Sequence, residues 1–153
     1  MQSFVRVLQD IGLLIARVIF GAVMVYHGWN RWQGGIQAQA DYLTQYGLPE
    51  PQLFAWGSVV LEVVGGILMT FGVLTPAVAA VFFAQFLMIV LWVQWRNGFN
   101  VHNNGYEYNA ILAALSLMFV VFGAGRAGVD NLFRNPRRER DASGRVIRDH
   151  DPA

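Results

Sequence analysis

Residues 53–73 read LFAWGSVVLEVVGGILMTFGV, an apolar run broken by a single ionisable side chain, Glu62, near its middle. About 20 such residues cross the ~30 Å of hydrocarbon in a bilayer as a helix. A second run, residues 11–29, reads IGLLIARVIFGAVMVYHGW and carries one ionisable residue, Arg17. Either charge alone in lipid costs about 3 kcal/mol on insertion scales. Together they can neutralise and hydrogen-bond one another. Centring each run in the membrane puts them about 6 Å apart along the axis at 1.5 Å per residue. The expectation is a structural ion pair, Arg17 with Glu62, clasping two transmembrane helices.

Working outward, two further apolar segments complete the pattern. The helices are expected at about residues 11–29, 53–73, 76–95 and 108–124. Composition agrees: of 153 residues, 55% are hydrophobic and 14% charged, against about 25% charged in soluble domains. The fold class is therefore an all-α membrane protein, a four-transmembrane-helix antiparallel bundle. One transmembrane domain covers residues 1–133, and a disordered basic tail covers 134–153. The first apolar run is too long for a signal-peptide core and no small-residue cleavage site follows it, so it reads as a retained span. The turn Gly72-Val73-Leu74-Thr75-Pro76 makes a hairpin of the second and third helices, with Thr75 as N-cap and Pro76 at the first helical position. The loop from Asn30 to Gln52 is expected to hold a short interfacial helix ending near Gly47.

Topology follows from arginine. All eleven basic residues are Arg. With four spans, Arg6, Arg126 and the six tail arginines share one side with the hairpin turn, while Arg31 and Arg96 lie on the other. The positive-inside bias puts both termini in the cytoplasm, as an integral protein of the plasma (inner) membrane. The five tryptophans, Trp29, Trp32, Trp56, Trp92 and Trp95, then fall at the outer ends of the helices. They serve either as an interfacial anchor belt or as a rim around an outer-leaflet site.

Several function classes drop out. No Cys and no Lys occur, which removes thiol redox, cysteine-ligated clusters and Schiff-base chemistry from this chain. No phosphate loop or nucleophile-elbow motif is present. A net charge of +1 gives no footprint for nucleic acid. His27, His102 and Glu107 match no compact ligand spacing, so no metal site is expected. The ligand-binding or proton-handling candidates are Arg17, His27, Glu62, Gln85 and Trp92. With Ser58 and Ser116 they give a bundle with a polar middle and an aromatic mouth. No catalytic residue is assigned.

The order of short motifs along the chain resembles the DoxX-like family of small four-helix membrane proteins. The matching pieces are Arg17-x-x-x-Gly21 with His27-Gly28, then Tyr46-Gly47-Leu48-Pro49, and Glu62-Val-Val-Gly65-Gly66. Gly72-Val-Leu-Thr75-Pro76 and Gly123-Ala-Gly125 with Asp130 follow. The resemblance implies association with quinone-linked sulfur oxidation or with membrane oxidoreductase assemblies that handle oxidative stress. It departs where the family often has Lys shortly after His-Gly; here the chain has Trp29-Asn30-Arg31. Two functions remain open. One is an accessory or quinone/lipid-binding subunit of a membrane oxidoreductase, not catalytic alone, with quinone as the candidate cofactor and membrane lipid and other subunits as partners. The other is a purely structural or assembly subunit with no ligand chemistry of its own.

Overall fold

The computed structural model describes residues 2–125 and 128–130. The Arg-rich tail lies outside the described residues. All regular structure among the described residues is helical. Helix α1 runs Gln2–Gly34, begins well before Ile11 and measures about 50 Å at 1.5 Å per residue. Helix α2, Ile36–Gln45, is the short helix expected in the first loop. Helix α3, Pro51–Phe71, contains a π-helical turn at Leu61–Gly65. Helix α4, Thr75–Asn97, contains a second at Ile89–Gln94. Helix α5 runs Glu107–Phe122.

Helices α1, α3 and α4 are each long and apolar enough to cross a membrane. At 16 residues, α5 is apolar but spans only about 24 Å. The outward faces carry many exposed large apolar side chains, among them Ile15, Ile19, Val60, Val64, Leu91 and Val121. That pattern suits lipid as the surrounding medium, because the backbone polar groups are satisfied within the helices.

Helix α1 lies along α3, α5 lies along α4, and α2 lies across the start of α3. Phe20 ties three of them together. Its ring meets Phe82 and Phe86 of α4 edge-on at 5.2 and 6.3 Å, and Phe119 of α5 at 5.7 Å. Such pairs add about 0.5–1.5 kcal/mol each beyond area burial. Met24, Met69, Ala79 and Leu112 fill the same core.

Two glycines fix the α1–α3 register. A Cβ at Gly21 would collide with the Thr70 hydroxyl and the Gly66 carbonyl, and one at Gly28 would lie 2.8 Å from Glu62 Cβ. So Gly28, not Arg17, stands level with Glu62.

At the α3–α4 turn, Gly72 takes φ 72°, in the left-handed region, which lets Val73 N donate back to Leu68 O at 2.9 Å. Helix α4 begins at Thr75, whose side chain is fully buried and does not cap. Asp130 caps instead, accepting from Leu74 N at 2.6 Å and Thr75 N at 2.8 Å. A carboxylate with two acceptor oxygens satisfies two orphan donors, where a threonine hydroxyl would satisfy one.

Candidate functional site

Glu62 sits in the π turn of α3, only 2% exposed. Its Oε1 accepts from two donors: Arg31 Nη1, in an ion pair, and Gln85 Nε2 of α4 at 3.1 Å. Arg31 stands on the last turn of α1. Helical side chains lean toward their own N-terminus, so Arg31 reaches back toward the Gly28 level where Glu62 lies. The second carboxylate oxygen, Oε2, is buried with no hydrogen-bond partner among the described residues.

Arg17 is placed elsewhere, and the expected Arg17–Glu62 pair is replaced by Arg31–Glu62. Arg17 is 1% exposed, and its Nη1 donates to Ala124 O at 2.6 Å. Its guanidinium packs on Gly72 and Gly128. Glu62 is ten residues before Gly72, about 15 Å along a helix. Centring the two apolar runs misjudged the register by about two turns. The backward lean of Arg17 then carries its head still further from Glu62.

Beside the Arg31–Glu62–Gln85 cluster is a cavity of about 210 Å³. Its polar wall comprises Arg31, Gln39, Gln85, Gln94, Asn104 and Asn109, with Tyr42 and Ser58; Phe54, Met88, Ile89 and Val93 supply the apolar part. The π turn of α4 contributes Ile89, Val93 and Gln94. Such turns widen a helix by one residue and recur at functional sites. Gln94 Oε1 accepts from Asn109 Nδ2 at 2.7 Å.

Helix α2 forms the roof. Tyr42 Oη accepts from Asn104 Nδ2 at 3.1 Å, and Tyr46 O accepts from Trp92 Nε1 at 3.2 Å. Burial, with a smaller push from Tyr46, raises the Tyr42 pKa above the usual phenol value, so its hydroxyl remains a donor at neutral pH. Asn104 adopts φ 59°, a conformation asparagine tolerates better than most residues. Its loop is pinned by Gly105 N to Asn100 O at 3.0 Å and by Val101 N to Glu107 Oε2 at 3.2 Å.

Of the sequence candidates, Glu62 and Gln85 come together directly. Trp92 ties the roof from an exposed position on the rim. His27 does not line the cavity; its Nε2 is 3.1 Å from Tyr108 Oη, next to the Gly28 contact with Glu62. Ser58 lines the cavity, while Ser116 donates to Leu112 O in the core. Arg31, Tyr42, Gln94 and Asn104 were missed as site residues. The available signal was Arg31 itself, a charge one helical turn past His27.

A larger groove, about 1060 Å³, opens at the opposite end between α1, the start of α4 and the end of α5. Leu13, Ala16, Leu115, Met118 and Phe122 line it, with Asp10 and Asp130 at its edge. It is mostly apolar and lacks the converging amides of the smaller cavity.

The DoxX family profile matches residues 12–95. The chain is 28% identical over 108 residues to the Bacillus subtilis (strain 168) protein named "Putative oxidoreductase CatD", covering 71% of this chain and 78% of that one. It is 27% identical over 126 residues to "Inner membrane protein YqjF" of Escherichia coli (strain K12), covering 82% and 94% respectively. No solved structure matches. Arg31, Glu62 and Gln85 fall within the matched segment; Asn104 and Asn109 lie beyond it.

Proposed function

The chain belongs to the DoxX family of membrane proteins, and from that premise we propose that it is an accessory, quinone- or lipid-binding subunit of a membrane oxidoreductase assembly. The observation that carries this reading is the cavity at Arg31, Glu62 and Gln85, a converging set of polar groups inside an otherwise apolar helical body. The relative named as an oxidoreductase supports the redox setting, and the relative named as an inner membrane protein supports the location.

The cavity suits a ring-sized headgroup. Its ~210 Å³ lies below the roughly 300–1,000 Å³ of pockets that enclose drug-sized ligands, the scale of a single ring. A quinone headgroup presents two carbonyl acceptors on a flat apolar ring. Arg31 and the amide of Gln94 supply donors, and Phe54, Met88 and Ile89 border the ring. When bound, a quinone supplies two-electron redox chemistry that this chain's side chains lack. The chain's own part is to orient the headgroup through Arg31 and Gln94 and to hold a proton acceptor, Glu62 Oε2, behind the wall. His27 with Tyr108 forms a second polar pair on α1 and α5. Arg17 is assigned to packing, and Trp92 to holding the roof.

The same proposal includes four spans with α5 as the shortest, and both termini in the cytoplasm beside the Arg-rich tail. Lipid acyl chains then occupy the larger groove. The alternative, an assembly subunit without ligand chemistry, draws support from the Arg17–Ala124 and Asp130–Thr75 ties, which join helix ends away from the cavity.

Native purification in lipid nanodiscs with mass spectrometry of all bound species separates the two. A stoichiometric quinone retained with an oxidoreductase subunit is the expected result. A stable complex with no small ligand favours the assembly role.

A further inference from the structure

We propose that Glu62 sets the charge class of what the cavity holds: by cancelling Arg31 it makes the site a receptor for uncharged ligands and closes it to oxyanions. This rests on the reading of the cavity as a binding site and adds a rule of selection to it.

Arg31 is the one ionised side chain among those lining the cavity, and Glu62 contacts its guanidinium directly. The rest of the polar wall is neutral. Gln85 directs one amide N–H at Glu62 and keeps its other N–H and its carbonyl. Asn109 donates one N–H to Gln94 and Asn104 one to Tyr42, so each keeps a second N–H and its carbonyl, and Gln94 keeps its amide N–H groups. The wall thus offers neutral groups that both donate and accept at Gln85, Gln94, Asn104, Asn109 and Tyr42, beside a single cation at Arg31 that is already paired.

An oxyanion entering this space would meet amides of no net charge and a cation already neutralised by the carboxylate behind it. With no net positive charge to compensate, the anion would give up part of its own hydration to enter. Oxyanion sites are built the other way, from unpaired guanidinium groups and backbone N–H donors. A neutral ring carrying carbonyl or hydroxyl groups meets a partner of the right kind on each side.

Glu62 is therefore a specificity-determining residue that acts through Arg31. Replacing it by the isosteric glutamine should release the guanidinium and turn the cavity into an anion site. The full chain is reconstituted in phosphatidylcholine nanodiscs and titrated calorimetrically with sodium sulfate. Glu62→Gln is expected to bind sulfate at least about tenfold more tightly than wild type, and Arg31→Gln/Glu62→Gln to lose that gain. Sulfate binding alike in wild type and Glu62→Gln overturns the proposal. So does a Glu62→Gln chain that takes up no sulfate, or a gain that survives without Arg31.

A measurement on wild type alone covers the case in which the variant fails to fold. A tail-less benzoquinone is compared with its monosulfonate, a ring of the same kind with one negative charge. Preference for the uncharged ring by about tenfold or more supports the rule. Equal or tighter binding of the sulfonate overturns the rule while leaving the cavity reading intact. Binding of neither ring overturns the cavity reading, and the rule with it.

Discussion

Gly28 packs on Glu62 so closely that a Cβ added to the glycine would lie 2.8 Å from the glutamate's own Cβ. This contact decides which arginine Glu62 meets. With Gly28 level with Glu62, Arg31 leans back one turn to pair with it, and Arg17 is left near the Gly72 turn. A packing glycine thereby selects the electrostatics of the site.

Gly28→Ala should push α1 away from α3 and separate Arg31 from Glu62. Overpacking of this kind costs about 1–3 kcal/mol. Ligand affinity should fall with stability, because the same displacement opens the ion pair. Thermal unfolding and quinone titration of one nanodisc preparation check both. An alanine variant with normal stability would mean that α1 does not approach α3 this closely.

The two halves of the ion pair should differ in their cost. Arg31→Leu leaves Glu62, 2% exposed, without its counter-ion, a loss on the order of 3 kcal/mol. Glu62→Leu leaves Arg31, whose side chain is 31% exposed and can turn its head to water, for a loss of about 1 kcal/mol. The double leucine variant should recover most of the larger loss. Denaturant titration of the three variants measures the order, and the reverse order would contradict the pairing.

Arg17 and Arg31 should separate structure from binding. Arg17→Gln removes a buried charged donor from Ala124 O and should destabilise by about 2 kcal/mol with little change in quinone affinity. Arg31→Gln should weaken quinone binding by about tenfold, the value of one charge-assisted hydrogen bond. Parallel thermal and binding assays distinguish the two residues.

Asp130→Ala removes the cap of α4, whose two N–H donors lie 2.6 and 2.8 Å from its carboxylate. The expected loss is about 1–2 kcal/mol. Hydrogen exchange should accelerate at Leu74 and Thr75 while the Glu62 region stays protected. Unchanged exchange at those two amides would exclude the cap.

The spans were legible in the sequence because a bilayer imposes length and apolarity together. Residues 53–73 and 76–95 show both, and α3 and α4 fall close to those bounds. The short helix before Gly47 was legible from its apolar spacing and the glycine and prolines that follow. The α1–α3 register was not, since centring by length ignores where glycines let backbones approach. That error paired Glu62 with the wrong arginine. The π turns at Leu61–Gly65 and Ile89–Gln94 have no compositional signature. Asn104 reaches the cavity through a left-handed backbone in a loop that sequence shows only as rich in Asn and Gly. Thr75 resembled a cap because Asp130, 55 residues away in sequence, cannot be assigned to that turn by local rules.

Orientation in the membrane is tested by single cysteines, for which the cysteine-free chain is a clean background. A cysteine replacing Asn103 should react with an impermeant maleimide in intact cells. One replacing Ser143 should react only after permeabilisation. The opposite pattern would invert the topology.

The most direct measurement is photolabelling of the full chain in nanodiscs with a tail-bearing azidoquinone, followed by peptide mapping. Adducts on the cavity residues Tyr42, Phe54 or Met88, lost in Arg31→Gln, are the predicted result. Adducts confined to groove residues such as Leu13, Leu115 or Phe122, or labelling indifferent to Arg31, would contradict a headgroup site at the Arg31–Glu62 pair.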